Sequence, residues 1–401
     1  MTSQMATGPK RPAGGPLNGV LVIDLTRVLA GPYCTLLMSD LGARVIKVEI
    51  PETGDDARQI GPFIKQKSAY FMSLNRGKES IALNLKIDRD RQILHQLLAR
   101  ADVVVENFRS GTMDKLNLGW DTLHERHPRL IYAAVSGFGH SGPYQSKPAY
   151  DLVVQAMGGI MSLTGQEGGP PTRVGTSIGD LSAGLFTAVG ISSALYHRSQ
   201  TGEALKIDVS MLDCQVALLE NAIARYLTTG SVPGPLGARH PSIAPFDAYT
   251  TDDSHVIVAA GNNNLFERFA KAIGGRQLAQ DPRYATNDLR CQNVEELKHD
   301  IEALLARHTT AQWIDILDKA GVPCSPINTV SDVLSDEQVK YRNMVITTPD
   351  PIIGDIKMAG NPIKFDRFDD PHTRPAAPDL DADRQRILAS LGIETAKKEE
   401  I

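Results

Sequence analysis

Asp180, in Gly179-Asp180-Leu181, stands directly ahead of an uncharged run at 181–196 (LSAGLFTAVGISSALY). Two readings of it stay open. An Asp before an apolar helical run is an ordinary N-cap, accepting backbone N–H bonds worth about 1 kcal/mol. The same position keeps a carboxylate ionised through the helix dipole and free amides. Gly179 lets another group come close, and an ionised Asp can attack an acyl carbon. Lys78, in Asn75-Arg76-Gly77-Lys78, lies on a loop entering a strand, while Arg27, Arg109 and Lys115 flank the ends of other strands. In an open parallel sheet such ends converge on one crevice, where phosphates are commonly held. Taken singly, each is also an ordinary solvated charge. Gly261-Asn262-Asn263-Asn264 follows an apolar strand at 256–260 and reads as a turn or as a mobile cover.

The motifs that are missing narrow the chemistry. The chain has no GxxxxGK[ST], no GxGxxG after the first strand, no GxSxG and no HExxH. Its His residues never take metal-ligand spacing, so no metal is expected. Across 401 residues, 42 Lys and Arg stand against 47 Asp and Glu, a net charge of −5 that argues against a nucleic-acid binder. A local basic pocket for a phosphorylated ligand remains compatible with it. The four Cys residues lie far apart without a CxxC pair, which fits a reducing compartment rather than a disulfide framework. No run reaches the length of a membrane span, and residues 1–15 read as a floppy tail without a secretory signal. The expected location is cytoplasmic.

The elements that must position these residues alternate from the start. Strand patterns fall at 19–24, 44–49, 80–85, 102–106, 130–136 and 204–209. Helical patterns fall at 32–42, 88–100 and 118–126. That alternation predicts a doubly wound α/β domain with a parallel sheet. The 181–196 run, rich in Gly, Ala and Ser, predicts a buried helix. An amphipathic helix with Leu212, Val216, Leu219, Ile223 and Leu227 on one stripe follows. Seven Gly or Pro residues in 230–245 mark a linker. Two strands in 246–260 and helices at 265–273, 294–307 and 311–320 predict a smaller α+β domain over 246–330. The expected division is thus a tail at 1–15, a large domain at 16–229, the linker, the small domain, and a return at 331–401 completing the large one.

At this point longer stretches become recognisable. DLTRVLAGPYCTLLMSDLGARVIKVE with GDDAR, NRGKESIALNLK, VVVENFRSGTMDKLNLGW, GFGHSGPY, the GD at 179–180 and VPCSPIN occur in this order. Over about residues 16–370 the chain resembles the class III coenzyme A-transferases (CaiB/BaiF type). The resemblance implies a Rossmann-like large domain, a small domain, and two subunits interlocked as rings in a homodimer. It implies coenzyme A, carried as acyl-CoA, and a small carboxylic acid as substrates. Asp180 then matches the nucleophile. Arg27, Val28, Leu29, Ala30, Asn75, Arg76, Lys78, Asn107, Phe108, Arg109 and Lys115 match coenzyme A-contacting segments. Tyr150 and Asp151 match positions beside the thioester, and Gly261, Asn262 and Asn263 match the glycine loop covering the acyl group.

Two departures refine the expectation. Ala149-Tyr150-Asp151 replaces the GHD triplet of the racemase branch, which removes one base of a two-base proton transfer. The glycine run and the glutamine of the formyl-CoA:oxalate branch are replaced by GNNN and Leu29, which points away from oxalate. The stretch ARHPSIAPFDAYTTDDSHVIVAAGNNNLF is similar instead to the branch serving succinyl-CoA and dicarboxylates such as glutarate. The expected reaction runs through an aspartyl mixed anhydride and an aspartyl-CoA thioester on Asp180. A dicarboxylate needs a cation at its far end, for which Arg239 and His240 are candidates; a solvated linker is their other reading. Rival functions are an acyl-CoA racemase or isomerase of the same fold, an acyl-CoA hydrolase, and a non-catalytic acyl-CoA-binding subunit.

Overall fold

Leu21–Asp24 (β1) is the central strand of a six-stranded sheet, in a computed structural model that describes residues 14–393. The tail expected at 1–15 lies, apart from Gly14 and Gly15, outside the described residues. The other strands are Arg44–Glu49 (β2), Glu79–Ala82 (β3), Val103–Glu106 (β4), Ile131–Ser136 (β5) and Lys206–Ser210 (β6). Their order is β3-β2-β1-β4-β5-β6 and every pairing is parallel. This is the doubly wound arrangement the alternating pattern predicts. Its strands are continuous apolar runs because helices cover both faces.

The two faces bury alternate residues of the same strands. On one, Ile23, Ile46, Val104 and Tyr132 pack with Leu94 and Leu97 of Asp88–Leu98 (helix α2), and with Ile387 and Leu388 near the C-terminus. On the other, Val22, Val45, Val103 and Ala133 pack with Cys34 and Met38 of Ala30–Asp40 (helix α1). Ile191 and Ala194 of a long helix join that second layer. After Asp151–Met157 (α3), this long helix is α4, Ile178–Thr201. A Cβ on its Gly184 would stand 2.7 Å from the Ala30 carbonyl oxygen, so small residues here are what allow α4 to lie against α1. At 24 residues α4 is long and apolar enough to cross a membrane by length and composition, although its small-residue face is buried in this core.

Two expectations need correction in this region. The single amphipathic helix after β6 is two helices, Met211–Leu218 (α5) and Asn221–Thr229 (α6). Glu220, with φ +47, breaks it, and Val216 and Leu227 of the expected apolar stripe are exposed. The stretch 230–245 is no free linker. It belongs to a smaller compact unit, Gly230–Asp336, together with Ser162–Thr172, which the composition did not separate. Gly237 donates to the Gly165 carbonyl at 2.8 Å and Arg239 pairs with Glu167 at 3.0 Å.

That smaller unit has its own sheet of Phe246–Thr250 (β7), His255–Ala259 (β8) and Cys324–Pro326 (β9), antiparallel with β8 in the middle. Asn263–Ala272 (α7), Val294–Leu305 (α8) and Thr310–Lys319 (α9) cover it, burying Val256, Val258, Phe269, Ile301, Trp313 and Leu317. The larger unit holds the remaining described residues, with Arg173–Thr229 and the chain from Glu337 onward. Within it, Asp381 and Asp383 side chains accept from the Ala82 and Ser80 amides at 2.7 and 2.9 Å, which covers the open edge of β3.

Candidate active site

β1 and β4 are neighbours whose following connections depart in opposite directions, so a crevice opens beyond their carboxyl ends. The loops after β1, β4 and β5 line a cleft of about 260 Å³ there. Arg27, Val28, Leu29 and Ala30 come from the first loop, Asn107, Phe108 and Arg109 from the second. Tyr150 and Asp180 complete the set, so the large unit brings nine of the expected site residues together. Asn107 fastens the first loop to the second: its Oδ1 accepts from the Arg27 amide and its Nδ2 donates to the Arg27 carbonyl, both at 2.8 Å. Arg27 reaches Asp56 at 3.2 Å and stands 5.3 Å from the centre of the Phe108 ring. A second, mostly apolar cleft of about 470 Å³ adjoins, sharing Arg27 and Phe108 and lined by Leu25, Val48, Ile50, Leu83 and Leu85.

Asp180 is not the N-cap of its helix. α4 begins at Ile178 with Ser177 as the capping position, and Asp180 sits in the first turn. The anchoring that a cap would supply comes from Asp151. Its Oδ1 accepts from the Gly179 amide at 2.8 Å and its Oδ2 accepts from Gln155 Nε2 at 2.7 Å. Asp151 is therefore buried beneath the helix start rather than presented to the cleft beside Tyr150, a residue 75% exposed. A Cβ on Gly179 would lie 2.7 Å from Val154 Cγ2, so Gly is what lets α3 approach here. Burial and the Asp151 charge push the Asp180 carboxyl up to about 7. That outweighs the helix dipole, which favours the ionised form. Tyr70 is a neighbour the sequence reading missed: burial and the charges of Asp180, Asp55 and Asp151 push its phenol up to about 12.

Four expected coenzyme A contacts, Lys78, Asn75, Arg76 and Lys115, are absent from the lining of that cleft, the first three being buried. Lys78 is fully buried, with Nζ on Asp24 Oδ2 (3.0 Å), Thr35 Oγ1 (2.7 Å), Asn75 Oδ1 (2.8 Å) and the Pro32 carbonyl (3.0 Å). Burial lowers its ammonium to about 8. Asn75 is buried with it, donating to the Phe71 carbonyl. Arg76 forms a two-pronged pair with Asp40 and is 3% exposed. All three tie the fold together beneath the crevice and do not line it. Lys115 is exposed at the end of the short helix Thr112–Lys115, also outside the cleft lining.

The remaining candidates belong to the smaller unit. Asn262 is the N-cap of α7, accepting from the Leu265 amide at 2.9 Å, so GNNN is a helix start rather than an open turn. Asn263 Oδ1 accepts from Arg290 Nη2 at 3.0 Å, and Gly261 is partly buried. Arg239 is paired with Glu167, and His240 Nδ1 accepts from the Ser242 amide at 3.1 Å. Among the described residues no group of three His, Cys, Asp or Glu side chains is placed to hold a metal ion, and the four cysteines are free thiols.

The family model for CoA-transferase family III matches residues 17–384. The chain belongs to that family. It is 47% identical to an acetyl-CoA:oxalate CoA-transferase of Acetobacter aceti, over 98% of this chain and 99% of that protein. It is 40% identical to a succinyl-CoA:glutarate CoA-transferase of Mus musculus, over 90% of this chain and 83% of the relative. Among solved structures, a CAIB/BAIF family protein from Brucella suis superposes with a TM-score of 0.84 at 38% identity, covering 94% of this chain and 100% of its own. The chain is accordingly an enzyme of the class III CoA-transferase type, with CoA thioesters as substrates.

Proposed function

We propose that this class III CoA-transferase moves coenzyme A from an acyl-CoA, succinyl-CoA or acetyl-CoA, to a short dicarboxylate, with Asp180 as the nucleophile. The observation that carries the reading is Asp180 itself: a half-buried carboxyl in the first turn of α4, opening on the switch-point cleft together with Val28–Ala30 and Arg109. The adjoining apolar cleft beside Phe108 suits the adenine end of coenzyme A, with Arg27 between the two for phosphate. The acceptor range includes oxalate as well as glutarate. The oxalate enzyme of Acetobacter aceti shares more of this sequence than the glutarate enzyme does, which weighs against reading GNNN and Leu29 as excluding oxalate.

The steps balance without ATP. Asp180 carboxylate attacks the acyl carbon of the thioester; the C–S bond breaks, leaving a mixed anhydride and coenzyme A thiolate. The thiolate attacks the aspartyl carbonyl and releases the donor acid, leaving coenzyme A on Asp180 as a thioester. The acceptor carboxylate attacks that carbonyl and expels the thiolate. Finally the thiolate takes the acceptor's acyl group and frees Asp180. Binding energy from the long coenzyme A chain holds the thiolate near the reacting carbon throughout. The Asp180 amide, in the first turn of α4, is a candidate donor to the oxyanions.

We also propose that the enzyme works as an interlocked homodimer in the cytoplasm. Leu185, Phe186, Val189 and Tyr196 make an exposed apolar stripe on α4, with Val189 63% and Tyr196 70% exposed, a surface that a second copy would cover. Free thiols suit a reducing compartment.

The deciding experiment offers succinyl-CoA or acetyl-CoA with oxalate, glutarate and mesaconate, reading products by mass. New acyl-CoA with wild type and none with Asp180→Ala is expected. Deuterium entering the α-carbon without exchange would mark an isomerase; free thiol without an acceptor, a hydrolase. Equal behaviour of wild type and Asp180→Ala would overturn the nucleophile assignment.

A further inference from the structure

Val28 has φ +66, in the left-handed region that a β-branched residue rarely enters. It stands in the loop that lines the Asp180 cleft, immediately before the first turn of α1. That turn has no side-chain cap, so its leading amides depend for their direction on how the loop enters the helix.

The loop is held from beneath by buried side chains acting on successive backbone atoms. Lys47 Nζ donates to the Thr26 carbonyl at 2.8 Å. Asn107 takes both polar atoms of Arg27. Asp55 Oδ1 accepts from the Val28 amide at 3.0 Å and from the Ala57 amide at 2.9 Å. Asp55 and Lys47 are in turn joined by an ion pair of 2.8 Å in which neither side chain has any solvent exposure. The Asp55 amide is itself fixed by Glu49 Oε2 at 3.0 Å. Backbone groups in a strained conformation persist only when the surroundings over-determine them. Here the surroundings reach the strained residue itself through one carboxylate.

We propose that Asp55, seated on Lys47, is a positioning residue for the transfer reaction. It holds the Val28 amide so that Val28–Ala30 keeps the left-handed entry into α1 and presents its backbone to the reacting thioester. The inference rests on the acyl-CoA reading of the cleft, and it assigns Asp55 no contact with substrate. A buried ion pair used only for stability would not need to terminate on a strained amide. Replacing such a pair by apolar residues is often neutral, which leaves orientation as the role to test.

The test compares wild type, Asp55→Ala and Asp55→Ala/Val28→Gly as full-length enzymes. Without any substrate, deuterium exchange over 25–33 is expected to quicken about tenfold or more at Val28 in Asp55→Ala. Unchanged exchange in a folded variant overturns the proposal whatever the enzyme's substrates prove to be. In transfer assays Asp55→Ala should lose about 100-fold in kcat/KM, the scale of a misplaced cleft backbone. Glycine accepts φ +66 freely, so the double variant should recover about tenfold despite the missing ion pair. A double variant no better than Asp55→Ala marks Asp55 as merely structural and sinks the idea. Should Asp55→Ala not fold, Val28→Pro removes the same N–H and bars positive φ while leaving Lys47–Asp55 intact. A comparable loss of transfer is then expected, and wild-type rates would refute the proposal. If wild type transfers coenzyme A to no acid, the transferase reading has failed, and the exchange arm with calorimetric binding of coenzyme A decides this one.

Discussion

The Asp151 carboxylate accepts the Gly179 amide proton at 2.8 Å, one residue before Asp180. One acidic side chain thus fastens the start of α4 and raises the proton affinity of the next carboxyl along. Asp151→Asn keeps an acceptor for Gly179 and removes the charge. Its transfer rate is expected to reach the plateau at lower pH than wild type, with turnover on the plateau preserved. Asp151→Ala leaves the Gly179 amide and Gln155 without their partner, at a cost of about 1–3 kcal/mol in urea unfolding.

In the proposed mechanism Asp180 reacts as the carboxylate, so kcat/KM is expected to rise with pH through about 7 and stay level above it. Stability runs the opposite way. The folded group holds its proton up to about 7, against an ordinary 3.8, so the contribution is present at low pH and is lost between those values as pH rises. Asp180→Asn escapes that loss. At pH 8 it should be inactive yet melt roughly 2–4 °C above wild type by calorimetry. A melting point below wild type at pH 8 would contradict the burial argument.

Lys78 separates phosphate binding from folding. With its ammonium enclosed by Asp24, Thr35, Asn75 and Pro32, Lys78→Met leaves the buried Asp24 without a cation partner in direct contact. Breaking such a pair from one side costs roughly 3–5 kcal/mol. The variant is expected to unfold at much lower urea, while its calorimetric affinity for coenzyme A at low temperature stays within about threefold of wild type.

Val189 tests the exposed stripe of α4. Val189→Glu places a charge in the middle of Leu185, Phe186 and Tyr196. Sedimentation should show a dimer for wild type and a smaller species for the variant. Equal sedimentation would place the subunit contact elsewhere.

Much of this protein is legible along the chain because it depends on neighbours in sequence. The β strands reveal themselves as short apolar runs, and the six of the parallel sheet fall within a few residues of where periodicity puts them, since burial on both faces demands such runs. Asp180 is visible because a glycine and a carboxylate ahead of a long small-residue helix are local features. What a charged side chain does is decided by what lies across from it. Lys78 and Lys115 read alike as basic residues near strand ends. Asp24, 54 residues earlier, takes Lys78 into the core, while Lys115 stays at the surface. Asp151, 29 residues before Asp180, turns from a substrate neighbour into the anchor of the helix start for the same reason. The assignment of Ser162–Thr172 to the smaller unit, and the buried pair of Lys47 and Asp55 under Val28, likewise come from packing between distant segments. Local pattern determined the strands, the family and the candidate for the nucleophile. Only the tertiary structure decided which charges face the cleft and which hold it in shape.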